Sequence, residues 1–134
     1  MLLRMSSAGP PEFFIDRSLG KLTAAGLRDL GHAVHLIADF YPDDAKYVPD
    51  EQWIADGCQR GWVLLTKDKR IRYREHELAP LRGFLFCLAN GQGTVADMVA
   101  GFSAAMPAIL RAVARGDPGY WHIHADGTLR KMWP

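Results

Sequence analysis

A buried central strand is predicted by the stretch Gly61-Trp62-Val63-Leu64-Leu65-Thr66-Lys67-Asp68-Lys69-Arg70. Residues 63–65 form a short continuous apolar run, which is typical of a strand buried on both faces. Thr66 and Asp68 follow two residues apart, so they point to the same side if the strand continues. Ligands of open α/β sheets bind outside the carboxyl ends of the strands. The stretch therefore predicts a hydroxyl and a carboxylate at a ligand-binding edge.

Basic residues follow this predicted strand directly. Four cations fall within the six residues after Asp68: Lys69, Arg70, Arg72 and Arg74. Their position beside a carboxylate suggests phosphate contacts, which supply most nonspecific affinity for nucleic acid. The alternative interpretation is a solvated helix face over residues 70–80.

Strand and helix patterns alternate through the first half of the chain. Strands are predicted at Glu12–Asp16 and His32–Ala38, and helices at residues 21–30 and from Pro49 to about Arg60. Residues 21–30 are predicted to bury a stripe that includes Leu22, Leu27 and Leu30. Such alternation predicts an α/β fold with a mainly parallel sheet and helices on both faces.

The second half predicts one more strand, a long helical region and a hairpin. The strand is Phe84–Leu88, and Thr94-Val95-Ala96-Asp97 has the form of a capping box at a helix start. Pro107 predicts a bend or a second helix, because proline cannot continue a helix without a kink. Asp126-Gly127 lies between two alternating runs, which is a strong signal for a C-terminal β-hairpin. His122 and His124 share one face of that hairpin and could bind a metal, although exposure alone is the favoured interpretation.

Composition limits the classes of function. The chain has 134 residues, which suits one domain at 12–134 after a flexible leader at 1–11. Its net charge is only +1, so any affinity for nucleic acid must come from local clusters. Cys58 and Cys87 are single and far apart, which favours a reducing, cytoplasmic setting. Uninterrupted apolar runs stay far below the ~20 residues of a membrane span, so no membrane is expected.

Acidic residues fall at three edges of this predicted fold. Asp16 ends the first strand, Asp50 and Glu51 open the helix before the central strand, and Asp68 follows that strand. Gathered carboxylates repel one another, and Mg²⁺ or Mn²⁺ would offset that repulsion. Such an ion can polarise a phosphoryl oxygen and lower the pKa of a bound water.

Each acidic position also has a purely structural interpretation. Asp16 could cap the following turn, and Asp50 could be a helix N-cap. Glu51 lies in a first helical turn, where the helix dipole favours any acid. Thr66 could be present only because threonine favours strands.

Three segments together resemble a known family. They are Phe13-Phe14-Ile15-Asp16, Pro49-Asp50-Glu51-Gln52-Trp53-Ile54 and Val63-Leu64-Leu65-Thr66-Lys67-Asp68-Lys69. The set resembles the PIN-like ribonucleases, in particular the branch with the VapC-type toxins of bacterial toxin–antitoxin pairs. The resemblance is clearest over residues 12–90, and it implies a three-layer α/β/α PIN-like domain.

This resemblance also implies an activity and a site. The implied activity is a Mg²⁺- or Mn²⁺-dependent cut in single-stranded or structured RNA, with a cognate antitoxin and a homodimer. The implied ligands are Asp16, Asp68 and one or both of Asp50 and Glu51, accompanied by the hydroxyl of Thr66.

One position departs from the family pattern. Many relatives carry a fourth acid after the next strand, where this chain has the neutral Asn90. The departure supports a rival hypothesis, a noncatalytic binding module that acts through protein or RNA contacts. A DNA-directed nuclease with the same chemistry is a third possibility.

Overall fold

A mainly parallel sheet forms the centre of the protein. The computed structural model describes residues 9–68, 78–89 and 93–133. Within these ranges the sheet has six strands in the order β2-β1-β3-β4-β5-β6. All neighbouring strands are parallel except β5 and β6, which form an antiparallel pair. The strands are β1 (Glu12–Ile15), β2 (Ala33–Leu36), β3 (Val63–Thr66), β4 (Phe84–Leu88), β5 (Gly119–Ile123) and β6 (Leu129–Trp133).

Helices cover both faces of this sheet. The described helices are α1 (Gly20–Asp29), α2 (Asp50–Gln59) and α3 (Val95–Arg115), with short 3₁₀ turns at Ile37–Asp39 and Asp43–Ala45. Helices α1 and α3 share one apolar core with the sheet, and α2 packs in a second core on the opposite face. The predicted three-layer α/β/α fold with a C-terminal hairpin is therefore confirmed.

Two sequence-based expectations about helices were wrong. Leu22 and Leu30 were expected on the buried side of α1, but they are 64% and 52% exposed, respectively. The buried side carries Thr23, Ala24 and Leu27 instead. A Cβ at Gly26 would lie 2.6 Å from Val99 Cγ2 of α3, so only a small residue fits where the two helices meet.

The other wrong expectation is a second helix at Pro107, which was one of two alternatives with a bend: α3 is one continuous helix through Pro107. Pro107 and Ser103 both lie on the exposed side of the helix, so water can bond the carbonyl group that the proline leaves unpaired. The predicted capping box is confirmed, because Asp97 N–H donates to Thr94 Oγ1 and Thr94 N–H donates to Asp97 Oδ2.

Helix α3 also bears on the membrane question. Among the described residues, it is the one helix that is long and apolar enough to cross a membrane. The sequence-based search looked for uninterrupted apolar runs. It missed α3 because small residues and Pro107 lie among the large apolar side chains of this helix. In this fold its apolar side, with Met98, Phe102 and Ile109, packs against the sheet. The helix therefore forms part of the protein core.

Helix α2 packs closely on the sheet because it contains a glycine. A Cβ at Gly57 would lie 2.3 Å from Leu64 Cδ2 and 2.9 Å from Phe14 Cδ2. The same helix buries Trp53 and Ile54 completely. This packing holds α2 against the sheet, and the first residue of α2 is Asp50.

Candidate active site

Strand pairing brings the first acid next to the central strand. Asp16 directly follows β1, and its backbone N–H donates to the carbonyl oxygen of Leu65, 2.9 Å away. Its neighbour across the pair is Thr66, the last residue of β3. Both side chains are buried, so Asp16 is a carboxylate at the carboxyl edge of the sheet with little access to bulk water.

The hydroxyl of Thr66 connects two of the predicted acids. Thr66 Oγ1 donates to Asp16 Oδ2 at 2.7 Å and accepts the backbone N–H of Asp68 at 3.0 Å. Ser18 Oγ donates to the same Asp16 oxygen at 2.9 Å. These bonds fix the orientation of the Asp16 carboxylate and tie it to the start of the loop after β3.

The pKa of Asp16 is raised above its ordinary value. Burial is the largest cause, and the nearby Asp50 carboxylate raises it further. Hydrogen bonds from Thr66 and Ser18 oppose this shift by stabilising the charged form. A cation near Asp16 and Asp50 would also lower the pKa of Asp16, as those two hydrogen-bond donors do.

Asp50 is held by a buried tryptophan. Trp53 Nε1 donates to Asp50 Oδ1 at 2.7 Å, and Trp53 is completely buried. The N-cap of α2 is Pro49, and the helix has no side-chain cap. The interpretation of Asp50 as an N-cap was therefore wrong, because the helix starts one residue earlier than that interpretation requires.

Four acids line one cleft of about 460 Å³, together with two cations and part of the loop after β2; three of the acids were predicted, and the fourth is Asp44. Its lining residues are Asp16, Arg17, Ser18, Ile37, Asp44, Ala45, Lys46, Val48, Asp50 and Asp68. Glu51 is half-buried in the first turn of α2 and is not one of these lining residues. In the described part of the chain, Asp50 therefore faces the cleft that Asp16 and Asp68 share.

The donor set suits a hard divalent cation. Mg²⁺ and Mn²⁺ prefer carboxylate and water ligands, and Mg²⁺ commonly uses one or two carboxylates and keeps several waters. Over residues 9–68, 78–89 and 93–133, no three His, Cys, Asp or Glu side chains form a ready-made ligand cluster. Asp16, Asp50 and Asp68 are the carboxylates at this cleft that could hold such an ion if it kept part of its water shell.

Several predicted site residues lie outside the described residues. They are the cations Lys69, Arg70, Arg72 and Arg74 and the neutral residue Asn90 at the fourth-acid position. Their proposed roles stay predictions. Most of the expected helix at 70–80 lies outside as well.

Two cleft cations were missed by sequence reasoning. Arg17 directly follows Asp16, and Lys46 lies in the loop that begins after β2. A signal was available, because loops after parallel strands reach the same carboxyl edge.

The expectation for the hairpin histidines was wrong for His122. This residue is buried, and its Nε2 lies 3.0 Å from the hydroxyl of Tyr120. The hydrogen bond satisfies a ring nitrogen that burial removes from water, which allows a histidine in this position. His124 is exposed, as expected.

Comparison with known proteins agrees with this fold. Residues 11–89 match the family model described as "PIN like domain". The chain belongs to the PIN-like domain family.

Within that family the resemblance to the VapC type is also confirmed. The chain is 30% identical over 124 residues to the Mycobacterium tuberculosis protein named "Putative ribonuclease VapC45", and the match covers 89% of this chain and 90% of that protein. No solved structure is a significant match.

Proposed function

We propose that this protein is a metal-dependent endoribonuclease that hydrolyses RNA phosphodiester bonds. The observation that carries the proposal is the buried Asp16 carboxylate, which Thr66 and Ser18 hold at the cleft that Asp50 and Asp68 also line. Family membership and the name of the mycobacterial relative support the choice of RNA as substrate.

The residues at and beside the cleft would have different roles. Asp16, Asp50 and Asp68 would hold Mg²⁺ or Mn²⁺, with Glu51 as the alternative to Asp50. Thr66 and Ser18 keep Asp16 charged and oriented, and Trp53 orients Asp50. The chemistry that such an ion supplies is polarisation of a phosphoryl oxygen and activation of water for attack on phosphorus. The basic run Lys69, Arg70, Arg72 and Arg74 would contact the RNA backbone.

Cleavage of a labelled RNA, with Mn²⁺ or Mg²⁺ and with EDTA, tests this proposal. Asp16→Asn and Asp68→Asn should each lose about 100-fold or more in rate, because metal catalysis contributes several kcal/mol and about 1.4 kcal/mol is tenfold. Asp29→Asn is the matched control, since Asp29 is exposed at the end of α1, where the chain leads into β2. Its rate should equal that of the parent.

Two results would contradict the proposal. One is cleavage that survives EDTA or either active-site substitution. The other is RNA binding without cleavage, which would favour the noncatalytic binding module. A single-stranded DNA of the same sequence, assayed in parallel, distinguishes the DNA-directed nuclease.

We also propose that the protein is the cytoplasmic toxin of a toxin–antitoxin pair and forms a homodimer. The support is its VapC-type relative. Expression alone should arrest growth, and co-expression of the product of an adjacent small gene should restore it. Light scattering of the purified protein measures the oligomeric state, and a monomer at all concentrations would contradict the homodimer.

A further inference from the structure

One wall of the active-site cleft is formed by the loop between β2 and α2. This segment, residues 43–48, is called the cleft wall below. Asp44, Ala45, Lys46 and Val48 all line the cleft that contains Asp16 and Asp50. Tyr47 is not one of the lining residues, but both of its neighbours in the chain, Lys46 and Val48, are.

The cleft wall has an unusual backbone. Asp43, Asp44 and Ala45 have φ angles of 54°, 58° and 59°, three consecutive left-handed residues without a glycine. Left-handed L-residues normally occur singly, and such strain persists only where surrounding structure fixes it. Here Arg17 Nε donates to the carbonyl oxygen of Asp44 at 3.1 Å, and Ala45 is buried. The residue next to Asp16 thus helps to fix the cleft wall.

The fixed loop presents an aromatic side chain to solvent. Tyr47 is 76% exposed, the largest fraction among the exposed large hydrophobic residues that the structure describes. Lys46 Nζ lies 5.1 Å from the centre of the Tyr47 ring. Arg17 lines the same cleft, where its Nε lies 3.8 Å from Asp44 Oδ2, and its side chain remains 52% exposed.

An exposed aromatic ring with two cations suits one kind of ligand. Unpaired bases stack on aromatic side chains, and cations contact the phosphates between them. A base inside a duplex is already stacked on its neighbours, so this contact selects single strands. A hydrophobic ring alone would suit a protein partner equally, but two adjacent cations at a cleft proposed for phosphodiester hydrolysis favour RNA.

We propose that Tyr47 stacks an unpaired nucleotide at the rim of the cleft, while Lys46 and Arg17, which line the cleft, contact phosphates of the same strand. This inference rests on the proposed function and adds to it a residue that selects unpaired nucleotides. Tyr47 is a binding residue in this scheme, and the acids of the cleft do the chemistry.

Binding is measured with Asp16→Asn protein, which does not cut the RNA under the proposed function. Fluorescence anisotropy uses a labelled single-stranded RNA, and a second RNA carries 2-aminopurine, whose fluorescence falls when it stacks. Tyr47→Ala, made in the Asp16→Asn protein, should weaken RNA binding about 5- to 100-fold, the range expected for one stacked base. It should also remove the quenching of 2-aminopurine fluorescence. Tyr47→Phe keeps the ring and should retain both signals. Leu30→Ala removes another exposed apolar side chain, one at the far end of α1, and should change neither.

The phosphate contacts have a separate signature. Neutralising one phosphate contact changes the slope of log K against log salt by about 0.7 for single strands. Lys46→Ala should therefore make this slope shallower by about that amount, whereas Tyr47→Ala should leave it unchanged.

The outcomes separate this inference from the proposed function. If the parent cleaves RNA but Tyr47→Ala binds single strands as tightly as the Asp16→Asn reference, the inference is wrong and the nuclease proposal stands. Equal affinity for a duplex of the same sequence would also overturn it, and the exposed ring would then suit a protein partner. If the parent neither binds nor cleaves RNA, both proposals fail.

Discussion

The carboxylate of Asp16 is expected to destabilise the folded protein at neutral pH. Its folded pKa is raised above 3.8, chiefly by burial. The native state therefore binds this proton more readily than the unfolded state, and the stability cost is full above the folded pKa and disappears below the unfolded value. Asp16→Asn should raise the free energy of unfolding at pH 7, because it removes the cost of keeping a buried carboxylate charged.

Urea denaturation in EDTA at pH 7 and near pH 4 measures this effect. The advantage of Asp16→Asn should shrink at the lower pH, whereas Asp29→Asn should match the parent at both. An advantage that does not depend on pH would show that burial of charge is not its cause.

Thr66 provides a second prediction about the same carboxylate. Thr66→Val keeps the shape of the side chain but removes the hydroxyl that donates to Asp16 Oδ2. Because that bond lowers the pKa of Asp16, its loss should raise the pKa. The acidic limb of the cleavage rate against pH should move to higher pH, and the maximal rate should fall about tenfold, as for about 1.4 kcal/mol.

The matched control is Thr23→Val in α1. Thr23 is also fully buried, and its hydroxyl has no hydrogen-bond partner in the described part of the chain. This change should leave the pH profile unaltered and should stabilise the fold by about 1 kcal/mol or more, because an unsatisfied buried polar group is removed. An unshifted profile for Thr66→Val would contradict the role given to its hydroxyl.

Sequence patterns located the acids but not their partners. Asp16 and Asp68 were placed correctly at strand ends, because apolar runs mark buried strands clearly. The bonds from Ser18 and Trp53 depend on side-chain directions at a turn and a helix start, which residue order does not specify. Arg17 and Lys46 were missed for a related reason: their position in the cleft follows from the path of the loop after β2.

Helix α2 carries the next prediction, because its position sets that of Asp50. Gly57→Ala should force Leu64 and Phe14 to move, since the new Cβ would lie within 3 Å of both. Overpacking costs about 1–3 kcal/mol, and improved helix propensity offsets up to about 1 kcal/mol. We expect a net loss of about 1–2 kcal/mol in the free energy of unfolding, with slower RNA cleavage even where the protein is fully folded.

Gly83→Ala is the comparison for that substitution. A Cβ at Gly83 meets only Cys58 Sγ, at an ordinary 3.6 Å. Its stability should lie within about 1 kcal/mol of the parent. If Gly57→Ala behaves in the same way, close contact between α2 and the sheet does not position Asp50.

Helix boundaries were predicted well where caps or glycines mark them. Thr94 and Asp97 identify the start of α3, and Gly116 at its end has a φ of 68°, which glycine accepts easily. The buried side of α1 was not predictable in the same way. A large Leu22 suggested burial, but the crossing at Gly26 turned the smaller side chains toward the core.

Metal binding should be visible in the stability of the entire domain. An ion that binds only the native state adds about 2.7 kcal/mol at a concentration 100 times its dissociation constant. Mn²⁺ should therefore raise the melting temperature of the parent and give a calorimetric binding signal. Asp16→Asn and Asp68→Asn should lose most of both effects, and Asp29→Asn should keep them. Equal binding by all four proteins would exclude a shared site at these carboxylates.

The link from Thr66 to Asp16 spans fifty residues of sequence. Strand β1 lies between β2 and β3 in the sheet. The carboxylate of Asp16 is therefore held in place only after β3, which ends at Thr66, has joined the sheet. Synthesis on the ribosome delivers the chain from its N-terminus, and domains generally fold in that order. A nascent chain that ends before Thr66 and Asp68 cannot organise this site. Any activity of this cleft can therefore arise only after the ribosome has added Asp68.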